Sequence, residues 1–206
     1  MATTQFWLLR HAPVVDNGGL VYGGGEIDAD ISHMPTFEAL AAMLPKFDAV
    51  YCSSLSRTAQ TLAAIRTAGR EDLPADPPRD PRLNEQHLGD WHGQPIKDVF
   101  KKASWPWPGF WMVAADFTPP GGENFEAVCA RVGAALDDIA NRHDGETVLL
   151  VAHGGVIRAA LGHALGLAPA AAQAFSVETC SLSRLDRIQS KSGRIAWRIA
   201  GQNWTV

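Results

Sequence analysis

Apolar positions along the chain fall into short runs, separated by longer stretches that repeat every three or four residues. Gln5–Leu9 (QFWLL), Asp48–Cys52 (DAVYC) and Thr147–Ala152 (TVLLVA) are apolar runs of strand length. Between them, TFEALAAML after Pro35 and SRTAQTLAAI after Leu55 read as helices. Phe125, Val128, Val132, Leu136 and Ile139 recur at steps of three and four, which predicts one apolar stripe on a long helix beginning near Glu123. A Gly-Gly pair after His153 opens a further helix ending near GLAP, and the tail from Phe175 to Ala200 carries strand-like segments, SVETCSLSRL and RIAWRIA.

Strand–helix–strand alternation predicts an α/β sandwich with a largely parallel sheet. In such sheets ligands bind outside the carboxyl ends of the strands. Arg10 and His11 follow one predicted strand and His153 follows another. If those strands are neighbours, the two histidines meet at one edge of the sheet. Residues 94–122 break the rhythm, because KKASWPWPGFWMVAADFTPPGG alternates proline with tryptophan and so excludes a regular helix there. The segment reads as an insertion over the surface, either a lid that meets substrate or a satellite apolar cluster under a long loop.

Composition narrows the class. The chain of 206 residues is 46% hydrophobic and 19% charged, with no internal repeat and no linker, which predicts one domain over 1–206. A net charge of −4 without any Lys/Arg block argues against nucleic acid or an anionic membrane as partner. The start, MATTQFWLLR, lacks the features of a secretory signal, and no apolar run approaches a bilayer span. Cys52, Cys129 and Cys180 are odd in number and widely spaced, as free thiols of a reducing cytoplasm would be.

Four places carry chemistry: Arg10-His11, Arg57 at a helix start, Glu85 in RLNEQHLGDWHG, and His153 in VAHGG. Singly, each is more often structural than functional. Together they suit phosphoryl transfer, which needs positive charge around the equatorial oxygens and an in-line nucleophile. Arginines offer planar, bidentate donors to such oxygens. A histidine beside them is held neutral and can attack phosphorus. A carboxylic acid can protonate the departing alkoxide and then activate water. His11, His153 and Glu85 could instead form a two-His-one-carboxylate metal set, but two adjacent arginines would repel a divalent cation. A serine hydrolase is disfavoured because no serine sits in a G-x-S-x-G motif.

The motifs LLRHAPV, SSLSRTAQT, RLNEQHLGDWHG, PGGENFEAVCARV and LLVAHGGVIRAAL, in that order, resemble those of the histidine phosphatase, or phosphoglycerate mutase-like, superfamily over nearly the whole chain. The resemblance implies a three-layer αβα sandwich with a mostly parallel central sheet. It implies His11 as the nucleophile that forms a phosphohistidine, and Glu85 as proton donor and then base. Arg10, Arg57 and His153 would bind the phosphoryl oxygens, His153 from a protonated ring, with Asn17 and the backbone of Gly154 as further contacts. It implies no metal and no cofactor, since the covalent histidine and the arginines replace the metal of other phosphatases. Homodimers are common among relatives. Ala12 replaces the usual Gly after the histidine, Pro35 stands where Gly is common, His92 replaces Glu in W-E-G, and Asn124 replaces Ser in P-G-G-E-S. RHAPV followed by VYGGGEIDADIS resembles the α-ribazole phosphatase branch. The substrate would then be a small phosphomonoester such as α-ribazole 5′-phosphate, whose flat benzimidazole could stack on Trp105, Trp107 or Trp111. A broad-specificity phosphatase, a phosphoprotein phosphatase or a mutase are alternatives. A pseudo-phosphatase that binds phosphorylated ligands without turnover is the non-enzymatic one.

Overall fold

The computed structural model describes residues 2–102 and 113–206. In chain order the elements are β1 (Ala2–Arg10), α1 (Met34–Met43), β2 (Ala49–Cys52), α2 (Ser56–Thr67), α3 (Ile96–Lys102), α4 (Phe125–Arg142), β3 (Thr147–Ala152), α5 (Gly154–Leu165), the short α6 (Pro169–Ala172), β4 (Leu182–Gln189) and β5 (Ile195–Trp204); all but α3 and α6 were expected. The strands build one five-stranded sheet in the order β2-β3-β1-β4-β5. β2, β3 and β1 pair in parallel, whereas β4 pairs antiparallel to β1, and β5 antiparallel to β4. The sheet is therefore mixed. The parallel part is the half fed by helical crossovers, and the antiparallel half comes from the β-rich tail, where β4 and β5 are joined by a short turn.

Alternation along each strand decides what covers which face. Phe6, Leu8, Val148 and Leu150 point to one side, where α4 and α5 pack on them. Leu9, Val50, Leu149 and Val151 point to the other, against Phe37 and Leu40 of α1 and Leu62 and Ile65 of α2. Helices on both faces of a single sheet make the three-layer αβα sandwich. All five positions of the predicted stripe on α4 are fully buried. That helix starts at Phe125 because Asn124 caps it, its Oδ1 accepting the Ala127 N–H at 2.9 Å. Pro35 lies in the first turn of α1, where a missing N–H costs nothing.

Two local expectations are corrected. β4 begins at Leu182, six residues after the start of SVETCSLSRL, because the chain first turns at Cys180, whose φ is +59°. Residues 94–122 are not wholly irregular either: Ile96–Lys102 form α3, which follows Pro95 and ends before the first Trp-Pro pair. Val99 and Val113 of this segment join Val21, Leu88 and Trp91 in a satellite core. Trp91 stacks on Phe117 with ring centroids 5.7 Å apart. Among the described residues, no helix is long and apolar enough to cross a membrane.

Candidate active site

Parallel pairing of β1 with β3 aligns Arg10 with Ala152, so His11 and His153 each follow their strand by one residue and meet. Their ring centroids are 5.0 Å apart. The end of β1 is pinned from both sides. His11 N–H continues the ladder to Ala152 O at 3.0 Å, and on the other edge Cys180 N–H donates to Arg10 O at 3.1 Å. β2 is the next strand over, so α2, which follows it, delivers Arg57 to the same edge.

The His11 ring has a defined tautomer. Its Nδ1 lies 2.6 Å from the backbone oxygen of Ala12. A carbonyl can only accept, so Nδ1 carries the proton and Nε2 keeps its lone pair. Burial pushes the His11 pKa down to about 3, and the charges of Arg57 and Arg10 push in the same direction. Ala12, the departure from the usual Gly, is not among the residues with positive φ, and its N–H is taken by Thr61 Oγ1 at 2.9 Å. A side chain is therefore accommodated there without strain.

Arg57 is fully buried. Its Nε donates to His153 Nδ1 at 3.3 Å, and its two terminal nitrogens donate to Gly25 O and Gly23 O at 2.8 Å each. The Tyr22 ring lies under the guanidinium, 5.4 Å from its centroid. Arg10 donates to Val177 O, and its Nε is buried with no acceptor among the described residues. His153 is held neutral, first by its burial and then by His11, Arg57 and Arg10 around it. The ring of the free protein is thus not the protonated donor that the motif resemblance implies.

Glu85 sits across the pair. Its Oε2 accepts the Gly155 N–H at 3.1 Å in the first turn of α5, and its Oε1 accepts the Gln86 N–H at 3.0 Å. A Cβ on Gly155 would stand 2.3 Å from Glu85 Oε1, so the second glycine of AHGG is what lets the carboxylate approach the helix. Gly154 packs beside the Arg10 guanidinium, with room for a Cβ 3.5 Å from it. In front of His11, Arg10 and Glu85 is a cavity of about 220 Å³ whose outer wall is apolar, formed by Leu20, Val21, Leu88 and Ile96.

The structure thus gathers His11, His153, Arg10, Arg57, Glu85 and Gly154. Among the described residues, Asn17 forms no hydrogen bond with them. The Asn17 amide closes its own turn, donating to Leu20 O at 2.7 Å, and the residue lines a neighbouring crevice with Glu26 and His92. His92 uses Nε2 to accept the Leu88 N–H at 3.2 Å. Trp105, Trp107 and Trp111 lie outside the described residues. Sequence reasoning missed Ser53, Tyr22 and the carbonyls of Gly23 and Gly25. The glycine run of VYGGGE and the serine pair directly after β2 were the available signals. Among the described residues, no group of three or more His, Cys, Asp or Glu is placed to hold a metal ion.

The chain is similar to known phosphatases. A metal-independent phosphoserine phosphatase of Arabidopsis thaliana is 32% identical over 161 residues, covering 76% of this chain and 66% of that protein, so the chain spans about two thirds of its length. An adenosylcobalamin/alpha-ribazole phosphatase of Salmonella typhimurium is 27% identical over 206 residues, covering 94% of this chain and 98% of that one. The structure of a mycobacterial glucosyl-3-phosphoglycerate phosphatase shares the fold, with a TM-score of 0.79 at 24% identity over 98% of this chain and 99% of that one. The family described as histidine phosphatase superfamily (branch 1) matches residues 6–199. A match over that length, on a fold that sets its two histidines side by side, establishes that the chain belongs to the histidine phosphatase superfamily, a family of phosphatases and mutases.

Proposed function

We propose that the protein hydrolyses a small phosphomonoester through a phosphohistidine on His11, without a metal. The observation that carries the reading is the His11 ring: its Nδ1–H is fixed on Ala12 O, and its Nε2 lone pair stays unprotonated beside two arginines. Nε2 attacks phosphorus and the ester P–O bond breaks, with Glu85 delivering a proton to the departing alkoxide oxygen. Water then attacks the phosphohistidine. Glu85 takes back a proton from that water, the P–N bond breaks, and inorganic phosphate leaves with His11 restored. Arg57 and the unpartnered Nε of Arg10 supply donors to the phosphoryl oxygens as charge redistributes. His153 and the N–H of Gly154, at the start of α5, complete the cradle.

The apolar wall of the cavity supports an uncharged, apolar alcohol rather than a carboxylate-bearing one. Among the substrates named for relatives, α-ribazole 5′-phosphate has that character. The test is phosphate release from a panel of esters in EDTA: α-ribazole 5′-phosphate, phosphoserine, the phosphoglycerates, fructose bisphosphates, nucleotides, a phosphotyrosine peptide and an aryl phosphate. The expected result is EDTA-resistant turnover, with α-ribazole 5′-phosphate or the aryl ester preferred. His11→Ala should lower that turnover by about a thousandfold or more. Isomerisation of phosphoglycerate without net release would make the protein a mutase. Phosphate binding with no turnover on any ester would make it a pseudo-phosphatase.

A further inference from the structure

His153 is fully buried and both of its ring nitrogens are bonded. A guanidinium only donates, so the contact from Arg57 Nε leaves the lone pair on Nδ1 and puts the single ring proton on Nε2. That proton is donated to Ser53 Oγ, 2.7 Å away. Ser53 is itself fully buried. Its Oγ also accepts the Leu55 N–H at 3.2 Å and lies 3.2 Å from Thr58 Oγ1, which in turn donates to Leu55 O at 2.9 Å. Every hydrogen in this chain has an acceptor, and the chain ends on backbone.

We propose that Ser53 is a positioning residue for the reaction. It holds the His153 ring with Nε2 toward the core and Nδ1 on the Arg57 side, and it keeps the Nε2 hydrogen satisfied when Nδ1 takes up a second proton. This rests on the reading of His11 and His153 as the phosphoryl site. A phosphomonoester near neutral pH is partly monoanionic, its second pKa being about 6. As it binds, its P–OH proton passes to Nδ1, leaving a dianion and an imidazolium, and Arg57 Nε turns from Nδ1 to a phosphoryl oxygen. The imidazolium then has two N–H donors, one on the phosphoryl group and one on Ser53. Without the anion, Arg10, Arg57 and Arg131 and the His11 ring oppose that charge. The serine hydroxyl offers the acceptor, whereas alanine would leave a buried N–H unpaired, most damagingly in the charged state.

The experiment combines nitrogen NMR of the histidine rings, with and without saturating inorganic phosphate at neutral pH, with steady-state kinetics on an aryl phosphate for Ser53→Ala and Ser53→Thr. In the free wild-type protein His153 should be protonated on Nε2 alone, and with phosphate on both nitrogens. Ser53→Ala should lower kcat by about ten- to a hundredfold, with a smaller change in KM, and should abolish the second protonation. Ser53→Thr, which keeps the hydroxyl, should recover most of kcat. Wild-type kcat in Ser53→Ala, or a His153 ring that stays singly protonated in saturating phosphate, overturns the proposal. If Ser53→Ala does not fold, the wild-type ring measurement alone decides. His11→Ala separates the two readings. Full activity in that variant sinks the phosphohistidine reading, while its inactivity beside an unaffected Ser53→Ala sinks the Ser53 role alone.

Discussion

At the scale of single residues, the site is organised by acceptors that are not themselves reactive. Ala12 O directs the His11 proton, Ser53 Oγ directs that of His153, and Gly23 O and Gly25 O hold Arg57. Two histidines buried without charge have a consequence for stability. Their folded pKa values lie below the unfolded value of about 6.5, so below that pH the unfolded chain binds more protons than the native one. Their contribution is complete above about pH 6.5 and is lost as pH falls below it, for His11 down to its folded pKa of about 3. The slope is about 1.4 kcal/mol per pH unit for each histidine. Urea unfolding at steps between pH 7.5 and 5.5, above the range where ordinary carboxylates titrate, should show stability level at first and then falling toward this slope below about pH 6.5. A slope half as steep would mean that one ring is charged in the folded protein, and a flat profile that both are. The candidate site positions were legible as Arg-His and His-Gly-Gly at strand ends. Their tautomers were not, because a ring's proton is set by neighbours up to 100 residues away, as between Ser53 and His153.

At the scale of elements, the helices and parallel strands were readable because each satisfies a local rule. The stripe on α4 repeats with helical period, β3 is apolar on both faces, and Pro35 opens α1. The start of α4 tests one such rule. Asn124, where the family pattern has Ser, caps the helix through Ala127 N–H. Asn124→Ala should cost about 1 kcal/mol, a fall of about 2–4 °C in Tm for a chain this size, and Asn124→Ser should restore it. An unchanged Tm would mean that water replaces the cap. The tail was read less well. SVETCSLSRL has strand composition throughout, yet Cys180 must turn so that its N–H can reach Arg10 O, and the strand starts only at Leu182. Propensity yields there to a contact with a strand far away in sequence.

At the scale of the whole molecule, the cavity lies where three segments meet: the turn after β1, the loop carrying Leu20–Gly23, and the loop from Glu85 to Ile96. Gly23 and Gly24 let the first loop close on the second, since a Cβ on either would stand 2.9 Å from a carbonyl oxygen of Gln86 or Glu85. We propose that the apolar wall that results sets the preference among esters. Leu20, 37% exposed, can be changed with little cost to the core. Leu20→Arg should lower kcat/KM for an aryl phosphate by about tenfold and raise it for 3-phosphoglycerate, as an apolar contact is exchanged for a cation. Equal changes on both esters would show that this wall does not touch the alcohol.

The order of most elements, the α/β class and the places of the candidate site residues at strand ends and helix starts follow from the sequence alone, because hydrophobic period, helix starts and strand ends are local properties. The mixed character of the sheet, the Asn17 amide turned onto Leu20 O, the neutral state of His153 and the tie from Ser53 to its ring were decided only by the tertiary structure. Each depends on groups distant in the chain being brought within hydrogen-bonding distance, or removed from water, and no window of sequence contains both partners.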